Sequence, residues 1–348
     1  MSAPRTEVNG GNIISVRRRL TTILRSTSRS FYISIRLLPR RLREPVKLAY
    51  LLARATDTIA DTVAIPASVR REALANLAGA IQGEGAANTI VDLGRSFAPL
   101  QSDESERALI EALPECFELL ELFNAADRGD IRELLGKITR GQMLDVDRFG
   151  SAEQVRALHT AADLREYTYL VAGCVGEFWT RLCFRYVANF ADETETQMAE
   201  LGKRYGQGLQ LINILRDAHV DLASGRCYFP ADELMAAALT PAQIIGEPLR
   251  FLGIYAAWLE EAQRGLESGM EYVRAINHFR VRGATVLPAL IGARTLSMLR
   301  AAGPGALRER IKVPRAEVRS MIGTVALTLA KRKQLDEMFR RFSGDYRK

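Results

Sequence analysis

The sequence predicts an all-α protein folded as one domain over residues 1–348, and three observations carry that expectation. Apolar residues recur at spacings of three and four nearly throughout, as in helices with one buried face, while the apolar-polar alternation of strands is scarce. Breakers divide the chain into helix-length stretches: Pro39, Pro45, Pro66, GEGAAN near residue 85, Pro99, Pro114, FGS at 149–151, FPAD at 229–232, TPAQ at 240, Pro248, GPG at 303–305 and Pro314. They predict roughly ten helices. No compositional shift or low-complexity linker separates two halves, and no internal repeat stands out.

Composition narrows the functional classes. At 348 residues, 47% hydrophobic and 26% charged, the chain is an ordinary globular one able to bury a sizeable core. No stretch approaches the ~20 apolar residues of a spanning helix. The N-terminal MSAPRTEVNGGNIISVRRRL lacks an apolar core followed by a cleavage site, so a cytoplasmic protein is expected. Its first ~11 residues are expected to be flexible. Cys116, Cys174, Cys183 and Cys227 form no CxxC pair, and with three histidines a zinc site is not expected. These read as reduced thiols in or near the core. The net charge of +7 and pI near 9.4 suit nucleic acid, an anionic membrane surface or a phosphorylated substrate. The basic residues read as dispersed and mostly arginine, without zinc-finger or RNA-binding signatures, which disfavours nucleic acid.

Taken in order, the first helix with chemical content begins with Pro45 in its first turn and runs toward Pro66. Leu48, Leu52, Ala55 and Ile59 form its apolar stripe. Tyr50, Arg54, Asp57 and Asp61 repeat the spacing two residues later, on the opposite side. GQMLDVDRF, residues 141–149, places Asp145 near a helix end, where a structural role is as good a reading as a functional one. Gly173 and Gly176 lie in a helical run and disfavour it by about 1 kcal/mol each relative to Ala. Tight helix packing accounts for them, and a backbone break beside a cavity is the functional addition. Further on, Gly206, Gln210, Asn213, Asp217 and Asp221 form a second polar line, flanked by Leu209, Leu211, Ile212, Ile214 and Leu215, so its upper part is expected to be enclosed.

One pair of acids four apart is more often an exposed helix surface. Two pairs, each preceded on its line by an amide or an arginine and walled by apolar residues, favour a cation. Carboxylates about 6 Å apart along a helix suit a hard ion, and Mg²⁺ takes one or two carboxylates plus substrate phosphate oxygens.

DTIAD at 57–61, NILRDAHVD at 213–221, SRSF at 28–31 and YTYLVAGCVG at 167–176 resemble the squalene and phytoene synthase family, the head-to-head trans-prenyl diphosphate synthases. GQMLDVDRF is similar to the family's GMxxD segment and LPALIGARTL at 287–296 to its C-terminal helices; Ala60 departs from the acid that many relatives carry. The resemblance implies the isoprenoid synthase helical fold around a central apolar cavity. It implies Mg²⁺ on Asp57, Asp61, Asp217 and Asp221, a carbocation-steering or proton-transferring role for Tyr167, and arginines Arg54, Arg216 and Arg226 on the substrate side. Ser28, Arg29, Phe31, Tyr50, Gln210 and Asn213 join these as candidates for binding farnesyl diphosphate, with Phe31 and Tyr50 equally readable as core aromatics.

Neither a GxxxxGK[ST] loop nor GxGxxG is complete, so NADPH, which squalene synthases use, would bind without a nucleotide fingerprint. RIKVPRAEV at 310–318 resembles the basic segment those enzymes present near the cofactor, and points to Lys312 and Arg315; solvated loop charges are the plainer reading. The implied reaction is squalene synthesis from two farnesyl diphosphates through presqualene diphosphate. Alternatives are a phytoene or dehydrosqualene synthase, a presqualene diphosphate or hydroxysqualene synthase without reduction, and a non-catalytic helical assembly factor. Eukaryotic squalene synthases carry a C-terminal anchor whereas this sequence ends in FRRFSGDYRK without one; because the implied product is a hydrocarbon, a peripheral contact at the inner face of the membrane through basic and apolar surface is an expectation.

Overall fold

A computed structural model describes residues 10–84, 87–150, 154–328 and 331–344. The expected flexible N-terminus falls largely outside these residues. Among them are sixteen α-helices and two short strands, so the all-α class holds. There are more helices than the roughly ten expected because some breaks involve neither Pro nor Gly. Ser28 alone separates Gly10–Thr27 from Arg29–Leu37. Asn124 opens Ala125–Phe149 by accepting the Asp127 N–H at 2.9 Å, as a capping side chain does.

Contacts divide the chain into two compact units, described here one at a time. The first comprises residues 1–36 and 43–139. Its central helix, Arg40–Asp61, begins five residues before the expected start. Pro39 rather than Pro45 is the entry: the Leu42 N–H bonds the Pro39 carbonyl at 3.0 Å, and Pro45 is carried inside the helix. From Leu48 on, the expected periodicity holds, since Leu48, Leu52, Ala55 and Ile59 are all fully buried. Each of the leucine and isoleucine side chains contributes about 1.5–3 kcal/mol. Within the same unit Gly10–Thr27 packs on Glu104–Glu111, and Ala87–Phe97 on Ala67–Gln82 and Leu113–Glu121.

The second unit comprises residues 37–42 and 140–348. Its axis is the 29-residue helix Glu195–Ala223, opened by a capping box in which Thr194 and Gln197 satisfy each other's backbone N–H groups. It packs against Pro248–Ala275 and Cys174–Tyr186. The second contact is backbone on backbone: a Cβ on Gly176 would lie 2.0 Å from the Gly202 carbonyl oxygen. Tight packing therefore explains Gly176. The expected backbone irregularity is also present, as a π-helical segment at Tyr169–Gly173 between Ala161–Thr168 and Cys174–Tyr186.

After Ala223 the chain turns through Gly225, whose φ of 84° favours glycine, into the strand Arg226–Pro230. This pairs in parallel with Arg156–Leu158. All four cysteines are free and buried, as expected, and burial pushes the Cys116 and Cys227 thiols up to about 12.

Candidate active site

In the first unit the polar line of Arg40–Asp61 is half-buried at Tyr50, Arg54 and Asp57 and exposed at Asp61. Phe31 stacks on Tyr50 with centroids 4.4 Å apart, and the Ser28 hydroxyl hydrogen-bonds to the Tyr50 phenol. Burial raises the Tyr50 phenol above its ordinary value, the Asp57 charge adding to this against Ser28 and Arg54. Arg54 is paired with Glu106 from the helix Glu104–Glu111. Burial disfavours its charge, but Glu106, Asp57 and Tyr50 more than offset that, so the guanidinium is held above its usual range. Glu106 was not legible as a partner in the sequence because it lies 52 residues from Arg54. Ser28, Phe31, Tyr50, Arg54 and Asp57 are thus brought together; the side chain of Arg29 lies outside the described residues.

In the second unit Gln210, Asp217 and Asp221 are half-buried along Glu195–Ala223. Asn213 departs from the expected enclosure: it is exposed and donates to Gln210 Oε1 at 3.3 Å. Leu211, Ile212, Ile214 and Leu215 are buried to either side, and of the line itself only Asn213 is exposed.

Asp217 accepts two hydrogen bonds from the neighbouring Arg216, one of them Arg216 Nε to Oδ1 at 3.2 Å. Arg310 Nε adds another at 2.9 Å. Burial would raise this carboxyl, but the two guanidiniums more than offset that and hold it below the usual range, ionised as a metal ligand must be. Arg310 opens the basic segment noted in the sequence, whose Lys312 and Arg315 are both exposed.

A second cluster lies next along the chain. On an extended strand residues two apart share a face, and Arg226 and Tyr228 both reach Asp145 of the helix Ala125–Phe149. Tyr228 Oη donates to Asp145 Oδ1 at 2.5 Å, and Arg226 sits 3.5 Å from Oδ2. Tyr167 stacks on Tyr228, centroids 5.1 Å apart and planes 26° apart, with the two phenol oxygens 3.5 Å from each other. Burial first, then the nearby Tyr167, Asp145 and Asp221, hold the Tyr228 phenol well above its ordinary range, so it remains a neutral donor. Tyr228 is a residue that sequence reasoning missed. Its only signal is the two-residue offset from Arg226 in RCYFP.

Among the described residues no group of three or more His, Cys, Asp or Glu side chains forms a metal cage. Mg²⁺ is held through one or two carboxylates plus phosphate oxygens, and the residue types at Asp57 and Asp61 and at Asp217 and Asp221 fit it, with Asp217 now accepting from Arg216 and Arg310.

The family model for squalene/phytoene synthase matches residues 24–317. The chain belongs to the squalene/phytoene synthase family. It is 30% identical over 213 residues to squalene synthase ERG9 of Saccharomyces cerevisiae, covering 60% of this chain and 44% of the yeast protein. It is 27% identical over 228 residues to a bifunctional lycopene cyclase/phytoene synthase of Phaeosphaeria nodorum, covering 65% of this chain and 36% of that protein. The match therefore spans less than half the length of these curated relatives. A ligand complex of TcSQS superposes with a TM-score of 0.70 at 19% identity, over 96% of this chain and all of that one, which establishes the helical isoprenoid synthase fold. Members of this family are isoprenoid synthases of the prenyltransferase type.

Proposed function

We propose that this protein is a Mg²⁺-dependent farnesyl-diphosphate farnesyltransferase that joins two farnesyl diphosphates head to head through presqualene diphosphate and reduces the product to squalene with NADPH. The observation that carries the reading is the repeated carboxylate pair, Asp57 with Asp61 and Asp217 with Asp221, each on a polar helix line and each beside a guanidinium. When bound, Mg²⁺ supplies the charge neutralisation that a departing diphosphate needs. Arg54, Arg216 and Arg226 are oriented by Glu106, Asp217 and Asp145, and offer planar forks to diphosphate oxygens. Tyr167 Oη is the acceptor for the proton lost from carbon as the cyclopropane ring closes. Its own proton passes to Tyr228 Oη, and that of Tyr228 to Asp145. For the reductive step, Lys312 and Arg315 offer cations to the phosphates of NADPH, on a segment whose Arg310 already touches Asp217. The protein works in the cytoplasm at the inner face of the membrane; none of its described helices is long and apolar enough to cross one.

A second reading has its own support, because one similar protein is named in part for phytoene synthase, whose product needs no hydride. Incubating the purified protein with farnesyl diphosphate and Mg²⁺, with and without NADPH, separates the two. Squalene formed only with NADPH is expected. Dehydrosqualene, hydroxysqualene or presqualene diphosphate regardless of NADPH, or phytoene from geranylgeranyl diphosphate, would move the assignment to a non-reducing synthase. No turnover of either substrate would favour a helical assembly factor. Asp57→Asn and Asp217→Asn are each expected to lower turnover by on the order of a hundredfold or more.

A further inference from the structure

The positive charge of this protein is not dispersed along the whole chain. Residues 8–43 hold nine arginines and no acid, which leaves 39 of the 48 basic residues to face all 41 acidic ones elsewhere. The excess of +7 therefore arises at the start of the chain. Folding sorts it further. On Gly10–Thr27 the apolar Leu20, Ile23 and Leu24 are buried, while Arg17, Arg18, Arg19 and Arg25 are exposed. Arg17 and Arg19 are held by Glu44 and Glu115. Ile14 on the same helix is 63% exposed. Between this helix and Arg29–Leu37 lies an open groove of about 690 Å³ lined by Thr22, Arg25, Ser26, Tyr32, Ile33 and Arg36. Among the described residues no carboxylate lines it, and Arg36 lies over the Tyr32 ring at 5.9 Å.

We propose that this helix pair is the surface by which the protein docks on a membrane carrying anionic lipids, with the Arg25–Arg36 groove receiving a phosphate headgroup. Two guanidiniums and the hydroxyls of Thr22, Ser26 and Tyr32 suit phosphate oxygens, and the exposed isoleucine suits the apolar boundary just below. The inference rests on the proposed reaction for its purpose, since a hydrocarbon product must pass into lipid rather than water. It adds the surface to the peripheral contact expected from sequence.

Vesicle co-sedimentation of the full chain tests it. The probes are phosphatidylcholine alone and phosphatidylcholine doped with phosphatidylglycerol. Binding to the anionic vesicles only, weakening with salt, is expected. An arginine near an anionic surface strengthens binding by about fivefold, so the triple variant R18Q/R25Q/R36Q is expected to lose on the order of a hundredfold. R18K/R25K/R36K should retain most of the affinity, and both variants should turn over farnesyl diphosphate in detergent as the parent does. Equal binding by the parent and the glutamine variant would place the membrane contact elsewhere and overturn this surface while leaving the peripheral reading intact. Failure of the parent to bind anionic vesicles would overturn both. Tight binding to duplex DNA in place of vesicles would assign the basic face to nucleic acid.

Discussion

At the scale of single residues, the candidate site is organised by groups that share a charge or a proton. Asp145 stands out because one carboxylate serves both Arg226 and Tyr228, one atom each. Removing the Tyr228 hydroxyl tests whether that arrangement acts through Tyr167. Tyr228→Phe keeps the ring that stacks on Tyr167 and removes only the hydroxyl. Turnover is expected to fall by about 10²–10⁴-fold, the range of a lost proton-transfer group, with an unchanged far-ultraviolet spectrum. Single-turnover formation of the cyclopropyl intermediate is the measurement. A rate equal to that of the parent would mean that the phenol is only packing.

At the scale of elements, two positions decide how the second unit holds together. The crossing of Cys174–Tyr186 over Glu195–Ala223 tolerates no side chain at Gly176, because a methyl group would overlap backbone atoms rather than a movable side chain. Gly176→Ala is expected to cost about 1–3 kcal/mol, visible as a lowered thermal midpoint with turnover per folded molecule less affected. The helix Phe279–Ala302 is capped by His278, whose Nδ1 accepts the Val281 N–H at 3.4 Å. Burial, helped by Arg280 and Arg282, depresses this imidazole below its ordinary 6.5. A neutral ring is required, since a protonated Nδ1 cannot accept. The folded form thus binds the proton less readily than the unfolded one. The cap's contribution, about 1 kcal/mol, is complete above pH 6.5 and is lost as pH falls through the depressed folded value. His278→Asn preserves a capping acceptor and should remove that decline in a denaturation series across acidic pH. A decline of the same size in the variant would assign it to other groups.

At the scale of the whole molecule, the four thiols serve as reporters of folding. Cys116 belongs to the first unit and Cys174, Cys183 and Cys227 to the second, and all are buried. Burial also keeps Cys116, Cys183 and Cys227 protonated. An aromatic disulfide reagent at neutral pH is therefore expected to label none of the four in the native protein and all four in denaturant. Labelling of Cys116 at a lower denaturant concentration than the other three would show that the units unfold separately. Rapid labelling without denaturant would contradict the burial.

Much of this architecture was legible in the sequence because it is local. The stripe Leu48, Leu52, Ala55 and Ile59 and the polar lines ending in Asp57–Asp61 and Asp217–Asp221 depend only on the helical repeat, which any chain of these residues must follow. The joints were partly legible: Pro39 marks a break, and Gly173 with Gly176 an irregularity, by residue type, while the breaks at Ser28 and Asn124 involve neither Pro nor Gly. The pairings were decided by the tertiary structure alone. Arg54 with Glu106, Asp217 with Arg310, and Asp145 with Arg226 and Tyr228 join residues separated by between 52 and 93 positions. Periodicity states which side of a helix a residue occupies. Which partner meets it depends on how separate elements pack, and that is fixed by the burial of their apolar faces and not by any spacing along the chain.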